Sequence, residues 1–161
     1  MPMIDIGMKI SYCTTAGTTK PASNLVQLKD CIAVPALIQP STKIATDYIG
    51  DSYVGELLGK KGIIGLDFTF AYDGTDTDKS HQYKDLVAID AAGTQHWLVV
   101  EYPDGTKFEM LVEMEVSLVA VTPSTELNYT LSVVPVKQNV TASPNYELIH
   151  IVNVGDTDPL A

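Results

Sequence analysis

The chain has 161 residues, of which 45% are hydrophobic and 19% charged, a balance that favours one folded domain over a disordered segment. Its 20 Asp plus Glu and 10 Lys plus Arg give a formal net charge of −10, which repels nucleic-acid phosphates and anionic membranes and argues against a sequence-reading DNA-binding protein. No run approaches the roughly 18 apolar residues of a membrane span and the first residues lack a secretion signal, so we expect a protein made in the cytoplasm that does not insert into a membrane.

Strands are predicted along most of the chain, because apolar and polar residues alternate there. Residues 1–7 are expected to form an N-terminal arm, and Pro35, which lacks a backbone N–H, is expected to end the second strand. The turn Pro103-Asp104-Gly105 joins two strands and predicts a hairpin. In chain order the predicted strands are 8–12, 25–33, 42–46, 62–72, 95–102, 106–121, 127–133 and 146–154.

The segment 47–61 is predicted to be a long loop, although it is unusually apolar for one. Its apolar side chains belong to Tyr48, Ile49, Tyr53, Val54, Leu57 and Leu58. A freely solvated connection of this length would not carry so many. We expect the segment to dock on neighbouring subunits; the alternative is a lid folded over its own core. The run Gly59-Lys60-Lys61-Gly62 at its end is predicted to be a plain turn.

One helix is predicted, after the polar turn 73–79. Ser80 is a suitable N-cap, Tyr83 and Leu86 fall at helical spacing, and Gly93 is suited to close the helix. The apolar stripe is narrow, which indicates that the helix lies on a sheet.

The longest predicted strand, 106–121, has one apolar and one acidic face. Even positions from Phe108 to Ala120 are apolar, whereas odd positions include Glu109, Glu113 and Glu115. A strand of this length would span roughly 50 Å at about 3.3 Å per residue, so something must cover it. Three carboxylates on one face cannot all be buried unpaired at tolerable cost. The pattern leaves two interpretations open, a solvated sheet face and the wall of a water-filled pore.

No catalytic or cofactor-binding motif is present in the sequence. It contains no Gly-x-Ser-x-Gly, no His-Glu-x-x-His and no phosphate-binding loop. His81, His96 and His150 lie far apart in the chain, and Cys13 and Cys31 are expected to be reduced thiols without a functional role. We therefore expect no enzymatic activity, no cofactor and no metal.

Several local segments, spread over roughly residues 8–137, carry a resemblance to a known family. They are Val34-Pro35-Ala36-Leu37, Lys43-Ile44-Ala45-Thr46-Asp47, the loop 48–62, Gly65-Leu66-Asp67-Phe68-Thr69-Phe70 and the hairpin Tyr102-Pro103-Asp104-Gly105. Together with the order of elements, they resemble the major tail tube proteins of long-tailed bacteriophages, particularly those with non-contractile tails.

The resemblance implies a mainly β fold, all-β or α+β: a β-sandwich or partly rolled barrel of antiparallel strands with one flanking helix. It implies a single tail-tube domain over 1–161, with a core at 8–137 and a C-terminal extension or extra strand at 138–161. It also implies a structural virion protein assembled in the host cytoplasm, with six copies per ring and rings stacked into a tube that carries the genome. The implied partners are other copies of the chain, the tape-measure protein, tail tip and tail terminator proteins, and double-stranded DNA in passage.

The resemblance also assigns roles to the residues singled out above. Glu109, Glu113 and Glu115, with Asp67 as a further candidate, would line the lumen, where an acidic wall repels DNA phosphates and lets the duplex slide. The apolar side chains of 47–61 would form the subunit interface. Inner-tube proteins of contractile tails, R-type bacteriocins and type VI secretion systems share this plan and are alternatives. An extracellular β-sandwich adhesin or pilus subunit is an alternative of another class.

Overall fold

The computed structural model of the chain describes residues 7–17, 25–37, 41–46, 49–50, 52–53, 55–61, 66–73, 75–119, 122–124, 126–139, 146–147 and 149–157. In this described part the fold is mainly antiparallel β-sheet with one helix, as predicted. The strands are β1 (Lys9–Cys13), β2 (Leu25–Leu28), β3 (Cys31–Ala33), β4 (Ser41–Thr46), β5 (Gly55–Lys61), β6 (Leu66–Ala71), β7 (Gln95–Glu101), β8 (Lys107–Leu118), β9 (Asn128–Pro135), β10 (Gln138–Asn139), β11 (Tyr146–Glu147) and β12 (His150–Val152), and the helix is α1 (Thr77–Ala92).

The largest sheet has eight strands and is rolled. Seven strands follow the order β2-β1-β7-β8-β9-β6-β3, and β12 pairs with β8 beside this path. The end strands β2 and β3 are consecutive in the chain, separated only by Lys29 and Asp30, so the sheet must curl until its two ends meet at this bend. Asp30 has a φ of 56°, a left-handed conformation that Asp tolerates better than most residues, and its carbonyl accepts a hydrogen bond from the Ala71 N–H at 3.0 Å.

The core lies inside the roll and is built from one side-chain face of β1, β6, β7, β8 and β9, with contributions from β2 and α1. Burial of each of its large side chains contributes about 1.5–3 kcal/mol, so this layer is the main source of stability. The fully buried members are Ile10 of β1, Leu66, Phe68 and Phe70 of β6, Leu86 of α1, Leu98 and Val100 of β7, Met110 and Val112 of β8, and Tyr129, Leu131 and Val133 of β9.

Helix α1 begins earlier than predicted and ends where predicted. Its N-cap is Asp76, whose carboxylate accepts a hydrogen bond from the Asp78 N–H at 3.0 Å; the prediction of Ser80 as the cap is wrong, because Asp76 already supplies the acceptor that the first turn needs. Gly93 closes the helix with a φ of 64°, and its N–H bonds the carbonyls of Ile89 and Asp90 at 3.1 Å.

Gln82 attaches the helix to the bend between β2 and β3. Its Oε1 accepts a hydrogen bond from the Lys29 N–H at 2.7 Å, and its Nε2 donates to the Lys29 carbonyl at 3.3 Å and to the Tyr129 hydroxyl. These bonds satisfy backbone groups at a bend where no ladder pairing serves them. An exposed ion pair between Lys29 Nζ and Asp78 at 2.8 Å adds to the contact.

Two predicted strands are each divided in the structure. The predicted strand 25–33 is split at Asp30, whose left-handed backbone breaks the extended run, so β2 and β3 pair with different neighbours. The predicted strand 146–154 is divided between β11, which pairs with β10, and β12, which pairs with β8. Residues beyond 137 therefore contribute a strand to the main sheet.

The prediction of a long loop over 47–61 is wrong for residues 55–61, and the prediction of a plain turn at 59–62 is wrong for its described residues, 59–61. Gly55–Lys61 is strand β5, which pairs with β4 in a separate two-stranded sheet, here called the β4–β5 hairpin. Glycines suggested a loop, yet Gly55 has a structural reason to be in the strand. A Cβ there would lie 2.7 Å from Oγ1 of Thr46, the residue opposite it.

Candidate functional site

On the outward side of the main sheet, three polar residues from three neighbouring strands lie side by side in one row. Glu115 of β8 lies opposite Ser132 of β9, which lies opposite Asp67 of β6. The Ser132 hydroxyl donates to Asp67 Oδ1 at 2.7 Å, so this carboxylate is held against the sheet. Glu115 and Asp67 are both exposed. The structure therefore brings together two carboxylates that are distant in the sequence.

Two flanking rows extend this surface, which we call the polar sheet face. In one, Gln95 Nε2 donates to Glu113 Oε1 at 3.3 Å, and exposed Val134 lies on the other side of Glu113. The opposite flanking row carries only hydroxyl groups. The three rows hold three carboxylates and no lysine, and their members are Gln95, Glu113 and Val134; Glu115, Ser132 and Asp67; Ser117, Thr130 and Thr69.

Glu109 does not belong to the polar sheet face, so the expectation that three glutamates of β8 share one exposed surface is wrong. Its side chain is only 3% exposed. It lies in register between Val99 of β7 and His150 of β12, so strands flank it on both sides. Next to it on the same side of β8, Leu111 is buried in a small cluster with Trp97 and Cys13. Placement of Glu113, Glu115 and Asp67 on a lumen wall stays a prediction.

The β4–β5 hairpin exposes the apolar side chains that the sequence singled out. Leu57 is 61% exposed, Leu58 76%, Tyr53 88%, and Ile49 is fully exposed. A lid over the chain's own core would bury these side chains, so the lid interpretation does not fit the four that are described. Tyr48 and Val54, the other two predicted interface residues, lie outside the described residues.

The two faces of the hairpin differ in character. Ile44 and Leu57 are directly opposite in the ladder and share an apolar face, and both are more than half exposed. The other face carries Leu58 and an ion pair of 3.9 Å between Lys43 and Glu56. The segment 41–61 is also electrically neutral in a chain of net charge −10, since its three lysines balance its three acidic residues, which are Asp47, Asp51 and Glu56.

Ser132 and Ile44, which belong to these surfaces, were not among the site residues predicted from the sequence. Ser132 lies on the polar side of the predicted strand 127–133, so alternation alone could have placed it beside the carboxylates. Ile44 lies in the predicted strand 42–46, but its role depends on the pairing with Leu57, which the prediction of a loop concealed.

Among the remaining candidates for chemistry, His96 has a structural role. The buried ring of His96 is fully bonded, with Nδ1 2.8 Å from the Cys13 carbonyl and Nε2 2.8 Å from Thr94 Oγ1. Within the described ranges, no group of three or more His, Cys, Asp or Glu is placed to hold a metal. In the same ranges, none of the helical structure has the length and apolar character that a membrane crossing requires.

The fold is similar to that of chains from a prophage baseplate and from a contractile injection system. One match is a chain of the anti-feeding prophage (AFP) baseplate, whose cryo-EM structure is 6-fold symmetrised; it has a TM-score of 0.60 and 8% sequence identity and covers 96% of this chain and 98% of that chain. A second is a chain of the sheath–tube complex of an extracellular contractile injection system, PVC, in its extended state, with a TM-score of 0.58, 7% identity and coverage of 95% and 93%. No protein-family model and no curated protein matches the sequence.

Proposed function

We propose that the protein is a structural subunit of a tail-like tube, in which copies form rings and rings stack around a channel. The observation that carries this proposal is the β4–β5 hairpin, a neutral element that exposes Ile44, Tyr53, Leu57 and Leu58 to solvent. An isolated two-stranded hairpin is marginal in water, and exposed apolar side chains on it mark a contact with another protein surface. Another copy of the chain is the simplest partner, because a tube repeats the same contact.

The polar sheet face supplies the second part of a tube, a lining that does not bind its cargo. Its carboxylates repel phosphates, and its hydroxyl groups are neutral, so a duplex in passage finds no cation to hold it. Glu113, Glu115 and Asp67 are the residues to which we assign this role. Six subunits would repeat them around the channel.

The structural matches support this assembly and bear on its type. One match is a chain of a prophage baseplate whose structure is 6-fold symmetrised, which agrees with six copies in a ring, and the other is a chain of a sheath–tube complex. Since the sheath–tube complex belongs to a contractile injection system, the inner tube of a contractile system is a second candidate beside the tail tube of a non-contractile bacteriophage. A sheath gene beside the gene for this protein would favour the contractile type.

Either type of tube implies partners beyond the chain itself. A tape-measure protein would occupy the channel before the cargo, and tail tip and terminator proteins would begin and end the stack. The proposed place of the protein is the finished particle, with assembly in the cytoplasm of the producing cell. No enzymatic step is part of the proposal.

Size-exclusion chromatography with light scattering tests the proposal. We expect the purified protein to form hexamers or longer multiples of six, alone or after addition of tail-tip components. The hydrophobic contact should make assembly stronger as salt screens the subunit charge of −10. A protein that stays monomeric at all salt concentrations, with tail-tip components present, would contradict the proposal.

A further inference from the structure

A cavity of about 220 Å³ lies between helix α1 and the sheet end formed by β1 and β2, and we call it the α1–β2 cavity. Tyr12 and Val26, which are opposite each other in the β1–β2 ladder, line its sheet side. Asp78, Gln82 and Asp85 line its helix side, because residues spaced three and four apart fall on one face of a helix. The volume is below the roughly 300–1,000 Å³ of pockets for drug-sized ligands, so the cavity suits a group of a few heavy atoms.

The side chain of Tyr12 lines this cavity with a hydroxyl group that has no hydrogen-bond partner. The residue is only 3% exposed, and its ring belongs to the core. Buried phenol groups usually find a partner, as the Tyr129 hydroxyl does in Gln82. No hydrogen bond to the Tyr12 hydroxyl is made in the described part of the chain, and the Gln82 amide is already bonded to Lys29 and Tyr129. The Tyr12 hydroxyl is therefore available to a group that enters the cavity.

Asp85 is a carboxylate of the cavity that has no cation bonded to it. The other carboxylate, Asp78, pairs with Lys29 at 2.8 Å, which engages the one lysine among the described residues that line the cavity. Asp85 is exposed, and it has no ion pair or hydrogen bond within the described ranges. Burial, and to a smaller extent the charge of Asp85, raise the pKa of Tyr12, so the hydroxyl stays neutral near this carboxylate. The cavity thus offers one uncompensated negative charge and one free hydroxyl.

These groups favour a cation that carries N–H donors. An ammonium group is positively charged and donates three hydrogen bonds, so it can bond a carboxylate and a phenol oxygen together. An anion would be repelled by Asp85, and in the described ranges no group of three or more ligating side chains is placed to hold a metal. Val26, which is 45% exposed, and the Tyr12 ring provide apolar surface for the carbons next to the ammonium.

We propose that the α1–β2 cavity binds a primary alkylammonium group. The ammonium donates to the Asp85 carboxylate and to the Tyr12 hydroxyl, and its alkyl chain lies on Val26. Two sources carry this chemistry: a free alkylamine, and a lysine side chain of a second copy, since all ten basic residues of the chain are lysines. The site does not depend on the proposed tube function, because a single subunit contains all of its residues.

NMR titration of the isotope-labelled monomer with butylamine tests the site. It is run at pH 8, where an alkylamine is protonated and an ordinary histidine is not, because His81 also lines the cavity. We expect saturable shifts of the Tyr12 and Val26 signals, with a Kd on the order of 1 mM for a ligand of so few heavy atoms. Butanol lacks the charge and butyltrimethylammonium lacks the N–H donors, so each should bind about tenfold more weakly or less.

Three variants separate the two bonding groups from the rest of the chain. Asp85→Asn removes the charge, and Tyr12→Phe removes the hydroxyl while keeping the buried ring. Each should weaken butylamine binding by about tenfold, the scale of one hydrogen bond to a charged group. Glu126→Gln is the matched control, since it removes a carboxylate charge from an exposed position outside the cavity and should bind like the wild type. Circular dichroism of each variant shows that the fold is retained.

Shifts that do not saturate, equal binding of butanol and butylamine, or Asp85→Asn that binds butylamine as tightly as Glu126→Gln overturns the site. The assembled protein distinguishes the two sources. If a lysine of a second copy fills the cavity, butylamine binds the monomer only, and Asp85→Asn raises the protein concentration needed for assembly. If the ligand is a free amine, the assembled protein also binds butylamine, and Asp85→Asn assembles like the wild type. A chain that binds butylamine but never assembles contradicts the tube function and leaves the site standing.

Discussion

Tyr129 shows how one buried polar side chain joins the helix to the sheet. Its ring stacks on Phe70 with centroids 5.3 Å apart and meets the Tyr83 ring edge-on at 5.4 Å. Its hydroxyl accepts the hydrogen bond from Gln82, the residue that also holds the β2–β3 bend. Burial raises the pKa of Tyr129 to about 12, against a smaller opposing effect of the Gln82 bond. The neutral phenol is therefore the form that the fold stabilises.

This pKa predicts a loss of stability in alkali. The folded-state pKa is raised above the unfolded value of 10.0, so the contribution is complete below pH 10 and is lost as the pH rises from 10 to about 12. Tyr129→Phe should make the decline in unfolding free energy across this range shallower. Part of the decline should remain in this variant, because the pKa of Tyr12 is also raised, by burial and by Asp85. At pH 8 the same variant should lose about 1 kcal/mol with its hydrogen bond.

Denaturant unfolding at a series of pH values measures this effect. Tyr53→Phe is the matched control, because Tyr53 is 88% exposed and the same hydroxyl is removed without a buried environment. If the unfolding free energy falls with pH equally steeply in Tyr129→Phe and in the wild type, the buried phenol does not determine the loss of stability in alkali.

At the scale of elements, the β4–β5 hairpin is where sequence and structure differ most. Alternation predicted β4 correctly, but Gly55 and Gly59 obscured β5, because glycine is common in loops. The ladder becomes visible only when Ile44 is set opposite Leu57 and Thr46 opposite Gly55. What the sequence did predict is that the apolar residues of this segment exceed the needs of a solvated connection.

The pair Tyr53→Ser and Leu57→Ser tests the hairpin as an interface. Both side chains are largely exposed in the subunit, so we expect unchanged circular dichroism and a melting temperature within a few degrees of wild type. Assembly should be lost, because the apolar contact between copies is removed. Val154→Ser, which removes an apolar side chain 64% exposed outside the hairpin, is the control and should assemble normally. Normal assembly of the double variant with a strongly lowered melting point would contradict the interface.

At the scale of the whole molecule, local patterns predicted the mainly β class, the helix and the long strand β8, but not how the sheet rolls. The roll depends on Asp30, whose left-handed backbone conformation separates β2 from β3. These two strands form the opposite ends of one sheet. The burial of Glu109 depends on β12, which comes some forty residues later in the chain. Alternation along β8 assigned Glu109 to a face but could not show that its neighbours across the sheet cover it.

Electron cryomicroscopy of the assembled protein tests the central claim most directly. We predict six copies around an open channel and rings stacked along its axis. Glu113, Glu115 and Asp67 should face the channel, and the β4–β5 hairpin should lie at contacts between copies. A filament without a channel, or a channel lined by a different face of the sheet, would contradict the account.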